Sequence, residues 1–275
     1  SAMSTKYLGD EFDIHGGGVD LVFPHHENEI AQAQAAGKKF ARFWIHNGLL
    51  TVNGEKMSKS LGNYVTVEEA LQQCGGKIDV LKVFFLATHY RSPVDHTADN
   101  LKAAAARLGR WMFLFPYADI SDELFDSQAS PEIVPEKVNR FNQSMDNDMN
   151  TPMALAELDF LACLGYDILA EFETLHIPWG GEDALAVPHQ HARRLRGYLV
   201  CVVRTLRELG KIVGLFTTYE HTPIPDEVMR LVQARDEARK KRDFQSADEM
   251  RNKIESMGFI VADSGGGTRV LPKPS

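Results

Sequence analysis

A short basic segment carries the clearest chemical signal in the sequence. Residues 56–60 read Lys-Met-Ser-Lys-Ser and follow an Asn53-Gly54 turn. Two ammonium groups on a loop can neutralise the charge that develops when a triphosphate is attacked at its α-phosphorus. The segment is therefore compatible with nucleotide chemistry, in which Lys56 and Lys59 would be the catalytic side chains. Alone, it leaves a solvated basic loop as the alternative.

A second segment, residues 15–29, combines glycines with histidines and carboxylates. It reads His-Gly-Gly-Gly-Val-Asp-Leu-Val-Phe-Pro-His-His-Glu-Asn-Glu. Glycines after a strand allow the backbone to approach a nucleotide closely, and Asp20 could accept a hydrogen bond from a ribose hydroxyl. His25 and Glu29 are four residues apart at a predicted helix start, so they share one face. That spacing suits two zinc ligands, with a surface His–Glu hydrogen bond as the alternative.

The elements that must position these residues can be predicted from apolar runs and capping signals. In the first 80 residues we expect strands at 12–15 and 43–46, the first stopped by the glycines at 16–18, a helix over 24–36, and a helix capped by Thr66 and Glu69. From about 80 to 216 the pattern is helical, with helices expected over 79–90, over 98–115 after an N-cap at Thr97, from Thr151 onwards and over 195–215. Long loops are expected at 119–135 and 176–188. The last fifty-odd residues predict two short helices and a hairpin formed by 259–261 and 268–270.

Composition narrows the class of protein. The 275-residue chain has no apolar run of the roughly 20 residues that span a bilayer, so we expect no membrane segment. Its net charge of −8 argues against sequence-blind coating of nucleic acid. Three scattered cysteines suit free thiols in a reducing, cytoplasmic compartment.

The two segments together, in this order and about thirty residues apart, resemble the cysteinyl-tRNA synthetases, whose KMSKS signature is shared by class I aminoacyl-tRNA synthetases. The resemblance implies ligation of cysteine to tRNA(Cys) through cysteinyl-adenylate, with ATP as substrate together with Mg²⁺. Lys59, supported by Lys56, would bind the ATP phosphates, and the adenosine site would be lined by His15, Gly17 and Asp20. A monomer is favoured. The implied fold is a partial Rossmann-like α/β catalytic half (1–80), an α-helical bundle with the stem-contact region (81–216) and a small α+β anticodon-binding domain (217–275).

The resemblance also implies a zinc ion that selects cysteine. His25 and Glu29 match two of its ligands, and two cysteines would complete the set, one of them immediately before Ser1. The family's HIGH signature would also lie upstream. We therefore expect this chain alone to be inactive in cysteine-dependent exchange of pyrophosphate into ATP.

Towards the C-terminus, residues 238–251 and 267–269 resemble the family's anticodon-binding tail. The positions that touch anticodon bases are matched by Arg239, Phe244, Asp248 and Asp263. Aromatic and guanidinium planes stack on splayed bases, and carboxylates accept from base amino groups. The family usually has an indole where this chain has Phe244 and Val270, so weaker stacking is expected.

Two other functions fit part of the pattern. A ligase joining cysteine to an amino sugar in mycothiol synthesis shares the zinc and KMSKS chemistry, but has no use for the C-terminal tail. A non-catalytic tRNA-binding module would keep the tail, but would not need an intact segment 56–60.

Overall fold

The computed structural model describes residues 1–58, 62–177, 179, 189–217, 219, 225–264 and 267–272. Its α-helices and β-strands follow the chain in this order: α1 (Ala2–Leu8), β1 (Glu11–Gly18), α2 (Glu27–Ala35), β2 (Phe40–Asn47), β3 (Leu50–Val52), β4 (Glu55–Lys56), α3 (Val67–Gln73), α4 (Ile78–Leu86), β5 (Val94–His96), α5 (Ala98–Phe113), α6 (Val134–Asp146), α7 (Thr151–Glu173), α8 (Gln190–Ile212), α9 (Asp226–Lys240), α10 (Phe244–Ser256), β6 (Phe259–Ser264) and β7 (Gly267–Pro272).

The chain forms two compact units. One comprises residues 1–105 and 144–152, and the other comprises 106–143 and 153–275. The division into three domains at residues 80 and 216 stays a prediction. No helix within the described ranges is long and apolar enough to cross a membrane.

A parallel pair of strands, β1 and β2, forms the first sheet of the first unit. Both predicted strands are confirmed, but the predicted stop at the glycines was wrong, because Gly16, Gly17 and Gly18 continue β1 and pair with Ile45, His46 and Asn47. A small core of Phe12, Ala33 and Phe40 packs α2 against this pair.

A second sheet, in the order β4-β3-β5, carries the Lys-Met-Ser-Lys-Ser segment at the end of β4. The strand β3 pairs antiparallel with β4 and parallel with β5. The predicted capping box is confirmed at α3: Thr66 Oγ1 accepts from the Glu69 N–H, and Glu69 Oε2 accepts from the Thr66 N–H. The sheet and the capped helix therefore bracket the basic segment.

The second unit is built from long helices with an apolar core. Each of the helices α5 to α8 contributes fully buried side chains to this core, among them Trp111, Phe141, Leu158 and Leu206, each 0% exposed. The predicted N-cap of α5 is confirmed, because Thr97 Oγ1 accepts from the Asn100 N–H at 3.1 Å.

Some helix predictions were wrong. The helix α6 lies partly where a loop was expected, because Pro135 was interpreted as a breaker although proline is compatible with the first turn of a helix. The helix α1 was not predicted, and α4 ends at Leu86, earlier than the predicted residue 90.

The C-terminal region confirms the predicted two helices and hairpin. The strands β6 and β7 are antiparallel. Val228 and Val232 of α9, Ile254 of α10, and Phe259 and Val261 of β6 form one buried cluster. This cluster gives the last fifty residues a core of their own.

A bridge on Asp148 fixes the connection between α6 and α7 within the first unit. The Asp148 carboxylate accepts from Tyr90 Oη at 2.6 Å and from the Arg91 guanidinium at 2.6 and 3.2 Å. Asp148 and Met149 both have positive φ, at 56° and 51°, a conformation that costs energy outside glycine. The hydrogen bonds from Arg91, and then from Tyr90, lower the pKa of Asp148 to about 2.

Gly197→Ala should destabilise the second unit, whereas Gly109→Ala should not. A Cβ at Gly197 would lie 2.2 Å from the Asp126 carbonyl oxygen, but one at Gly109 would meet nothing within 4 Å. We expect Gly197→Ala to lower the free energy of unfolding by about 2 kcal/mol, and Gly109→Ala to raise it by about 0.5–1 kcal/mol. Denaturant unfolding followed by circular dichroism measures both. Equal effects would contradict this packing.

Asp148→Asn should lower stability at neutral pH and lose its effect in acid. The folded pKa of Asp148 lies below the unfolded value of about 3.9, so the charged bridge stabilises the fold above about pH 4. That contribution is lost as pH falls towards 2. Denaturation of parent and variant between about pH 2 and 7 measures the difference, which should shrink below pH 4. A difference independent of pH would contradict the bridge.

Candidate functional site

The register of β1 and β2 aligns the histidines of the two strands. His15 pairs with Trp44, and Gly17 pairs with His46. Because side chains alternate along a strand, Trp44 and His46 point to the same face of the sheet. Their rings are stacked, with centroids 6.0 Å apart and planes at 12°. An aromatic, half-buried surface therefore lies at the carboxyl end of the pair.

Glu29 of α2 faces this surface. The Glu29 Oε2 atom lies 3.1 Å from His15 Nε2. It is nevertheless buried without a hydrogen bond of acceptable geometry. Ligand atoms of His15, His26 and Glu29 all lie within 4.8 Å of one another. A buried carboxylate oxygen that lacks a hydrogen bond, beside two imidazoles, suits a bound cation.

His26 is the most buried member of this group, 4% exposed. Its Nδ1 lies 2.8 Å from His46 Nε2, so one ring donates a hydrogen bond to the other. Burial, followed by the nearby His15 and His46, lowers the pKa of His26. A neutral imidazole is the form that binds metals. Neither His26 nor His46 was singled out from the sequence, although His26 is three residues before Glu29 and could share its helical face.

Gly17 provides the space for His26. A Cβ at Gly17 would lie 2.7 Å from His26 Cε1 and 3.2 Å from Leu21 Cδ1. The structure therefore gives this glycine a packing role, and its predicted contact with adenosine stays a prediction.

His25 lies outside the cluster of His15, His26 and Glu29. It is exposed and precedes α2, which begins at Glu27 rather than at the predicted Pro24. The chain is kinked before His25, because Phe23 has the extended backbone angles φ −129° and ψ 132°. The assignment of His25 as a metal ligand stays a prediction.

Two residues that the sequence assigned to one nucleotide do lie together. Lys56 Nζ is 3.3 Å from Asp20 Oδ2, and both side chains are about half exposed. His15 instead lies in the cluster with Glu29. Lys59 lies outside the described residues. The first lysine of the basic segment thus lies beside the loop that follows the glycine-rich strand.

Asn63 and Asp95, two further residues around the basic segment, were missed by the sequence analysis. Asn63 hydrogen-bonds backbone groups of Lys56 and Ser58. Asp95 hydrogen-bonds the turn between β3 and β4. Only the position of Asn63, three residues after the segment 56–60, could have suggested its role.

The predicted anticodon residues lie on α9, α10 and β6. Arg239 is exposed near the end of α9. Phe244, the first residue of α10, is 62% exposed, and Asp248 is exposed one turn later. Residues four apart share a helix face, so Phe244 and Asp248 can meet one ligand. Asp263 lies on β6, and its side chain is outside the described set.

Two family models match the chain. Residues 1–106 match the class I (C) tRNA synthetase catalytic domain, and residues 221–270 match the cysteinyl-tRNA ligase anticodon binding domain.

Solved structures with a similar fold are aminoacyl-tRNA synthetases. Methionyl-tRNA synthetase of Mycobacterium tuberculosis, in complex with methionyl-adenylate, aligns with a TM-score of 0.52 at 21% identity, covering 73% of this chain and 42% of that one. A LeuRS–tRNA–LeuAMS ternary complex of Agrobacterium radiobacter aligns with a TM-score of 0.50 at 18% identity, covering 74% and 28%. At these identities the likeness concerns the fold alone. It agrees with a mostly helical chain that contains small sheets.

Curated relatives match along almost the whole chain. The cysteine–tRNA ligase of Geobacter sulfurreducens is 41% identical over 98% of this chain and 56% of its own length. That of Paramagnetospirillum magneticum is 41% identical over 98% of this chain and 53% of its own length. The chain therefore spans about half the length of these relatives. Together with the two family models, this similarity shows that the chain belongs to the cysteinyl-tRNA synthetase family.

Proposed function

We propose that the chain forms part of a cysteine–tRNA ligase. Such an enzyme activates cysteine with ATP and transfers the cysteinyl group to the terminal ribose of tRNA(Cys). The observation that carries this proposal is the approach of Lys56 to Asp20, within a region that matches the class I catalytic domain. An ammonium group near an acceptor for a ribose hydroxyl is compatible with a nucleoside triphosphate, which carries both phosphates and a ribose.

Different residues would bind different parts of ATP. Lys56, with Lys59, would neutralise the charge that develops on the phosphates as the carboxylate of cysteine attacks the α-phosphorus. Asp20 would accept from a ribose hydroxyl, with His15 and Gly17 near the adenosine. The ATP would bind together with Mg²⁺. Catalysis of this kind consists of positioning and electrostatic stabilisation, and it needs no covalent enzyme intermediate.

The amino-acid side of the site would hold zinc. Glu29 is common to the ligand pair implied by the family resemblance and to the described cluster with His15 and His26. Bound zinc would bind the thiolate of cysteine and reject the hydroxyl of serine.

The C-terminal domain favours tRNA over an amino sugar as the acceptor. Residues 221–270 match an anticodon binding domain, for which a sugar ligase has no use. Exposed Phe244 and the Arg239 guanidinium would stack on anticodon bases, while Asp248 and Asp263 would accept hydrogen bonds from base amino groups. The inactivity of the chain alone in cysteine activation stays part of the proposal, because the relatives are about twice as long.

Glu29→Gln should weaken zinc binding by about tenfold or more, because it removes a charged ligand from both candidate sets. Glu27→Gln is the matched control, since Glu27 is exposed on the same helix and outside the cluster. Competition with a chromophoric chelator measures the affinity. Equal affinities for the two variants would contradict a metal site at Glu29. Comparing His25→Gln with His26→Gln then identifies the histidine ligand.

Phe244→Ala and Arg239→Ala should each weaken the binding of tRNA(Cys) by about tenfold, because each removes a planar group that can stack on a base. Lys253→Ala is the control, since this exposed cation lies on α10 outside the predicted set. Fluorescence anisotropy with labelled tRNA(Cys) measures the affinities. If Lys253→Ala weakens binding as much as Phe244→Ala, the surface binds RNA by charge alone and the assignment fails.

A further inference from the structure

The side-chain amide of Asn63 forms hydrogen bonds to two backbone positions of the basic segment, residues 56–60. Asn63 Oδ1 accepts a hydrogen bond from the Ser58 N–H at 2.9 Å, and Asn63 Nδ2 donates to the Lys56 carbonyl oxygen at 3.2 Å. One planar group thus bonds to two backbone positions that are two residues apart. Asn63 itself is half-buried.

The turn that precedes this segment is held by Asp95 of β5. Its Oδ1 accepts from Thr51 Oγ1 at 2.7 Å and from the Gly54 N–H at 2.9 Å. Asn53 and Gly54 both have positive φ, as the tight turn between β3 and β4 requires. The hydrogen bond from Gly54, and then that from Thr51, lowers the pKa of Asp95, which is charged at neutral pH. The hairpin that leads into Lys56 is therefore fixed from β5.

The contact between Lys56 and Asp20 cannot by itself fix the lysine. Both side chains are about half exposed, and an exposed ion pair of this kind contributes little to stability. The backbone of Lys56 must be positioned by other groups if the ammonium is to remain near Asp20. Beyond the β3–β4 pairing, Asn63 Nδ2 donates a hydrogen bond to the Lys56 carbonyl oxygen.

We propose that Asn63 is a positioning residue for the nucleotide site, holding the Lys56 carbonyl and the Ser58 amide so that the Lys56 ammonium lies beside Asp20. The proposal rests on the proposed function for its ligand, a nucleoside triphosphate. Its geometric part concerns the protein without ligand and can be tested separately.

Asn63→Ala and Asn63→Asp separate the two hydrogen bonds. Alanine removes both, whereas an aspartate can still accept from the Ser58 N–H but cannot donate to the Lys56 carbonyl oxygen. Asn142→Ala is the control, because Asn142 is exposed on α6 in the other compact unit. Thermal unfolding of all variants checks that the fold is retained.

Two measurements without ligand test the geometry. Amide hydrogen exchange at Ser58 should accelerate about tenfold in Asn63→Ala and less in Asn63→Asp. Acetylation of Lys56, followed by mass spectrometry, should accelerate in both Asn63 variants, because the ammonium leaves Asp20. Parent-like exchange and acetylation in Asn63→Ala would overturn the proposal.

Titration with ATP and Mg²⁺ is the third measurement. A protein in which Asn63 positions Lys56 should bind ATP about tenfold more weakly after Asn63→Ala, while Asn142→Ala should bind as the parent does. Altered exchange with no ATP binding in any variant would contradict nucleotide binding by this chain alone and leave the positioning role of Asn63 intact. Unaltered exchange in Asn63→Ala together with ATP binding would contradict the positioning role and leave nucleotide binding intact.

Discussion

The parallel pairing of β1 with β2 brings together side chains that lie about thirty residues apart in the sequence. Its register aligns His15 with Trp44 and Gly17 with His46. The absence of a side chain at Gly17 then lets His26 approach the strand, and His26 meets both His46 and the Glu29 cluster. A shift of one residue would turn Trp44 and His46 to the opposite face of the sheet. The surroundings of the cluster of His15, His26 and Glu29 are therefore set by the register of β1 and β2.

The basic segment is fixed by contacts of its own, independent of the β1–β2 pair. These contacts explain how a loop can hold the Lys56 ammonium in one place. Asp95 fixes the turn before it, Asn63 bonds its backbone, and the capping box at Thr66 starts the next helix. These contacts are local in space but come from three different elements. Lys56 and Asp20 can therefore meet although each is exposed.

Local signals in the sequence predicted the local structure well. The Thr66 and Glu69 capping box, the Thr97 cap and the C-terminal hairpin follow from residue chemistry within a few positions, and all are confirmed. The approach of Lys56 to Asp20 was implied only by assigning both residues to one nucleotide. His26 and Asn63 could not be identified in this way. Their roles depend on the β1–β2 register and on the path of the chain around the segment, which are long-range properties that periodicity does not contain.

The proposal that the chain forms part of a cysteine–tRNA ligase is tested most directly by asking whether the unmodified chain binds tRNA(Cys) through its anticodon. Its affinity should be measured for tRNA(Cys) and for the same tRNA with all three anticodon bases replaced, at equal salt concentration. The account predicts clearly tighter binding of the natural tRNA, with a difference that persists as salt weakens both complexes. Equal affinities, falling together with salt, would contradict it.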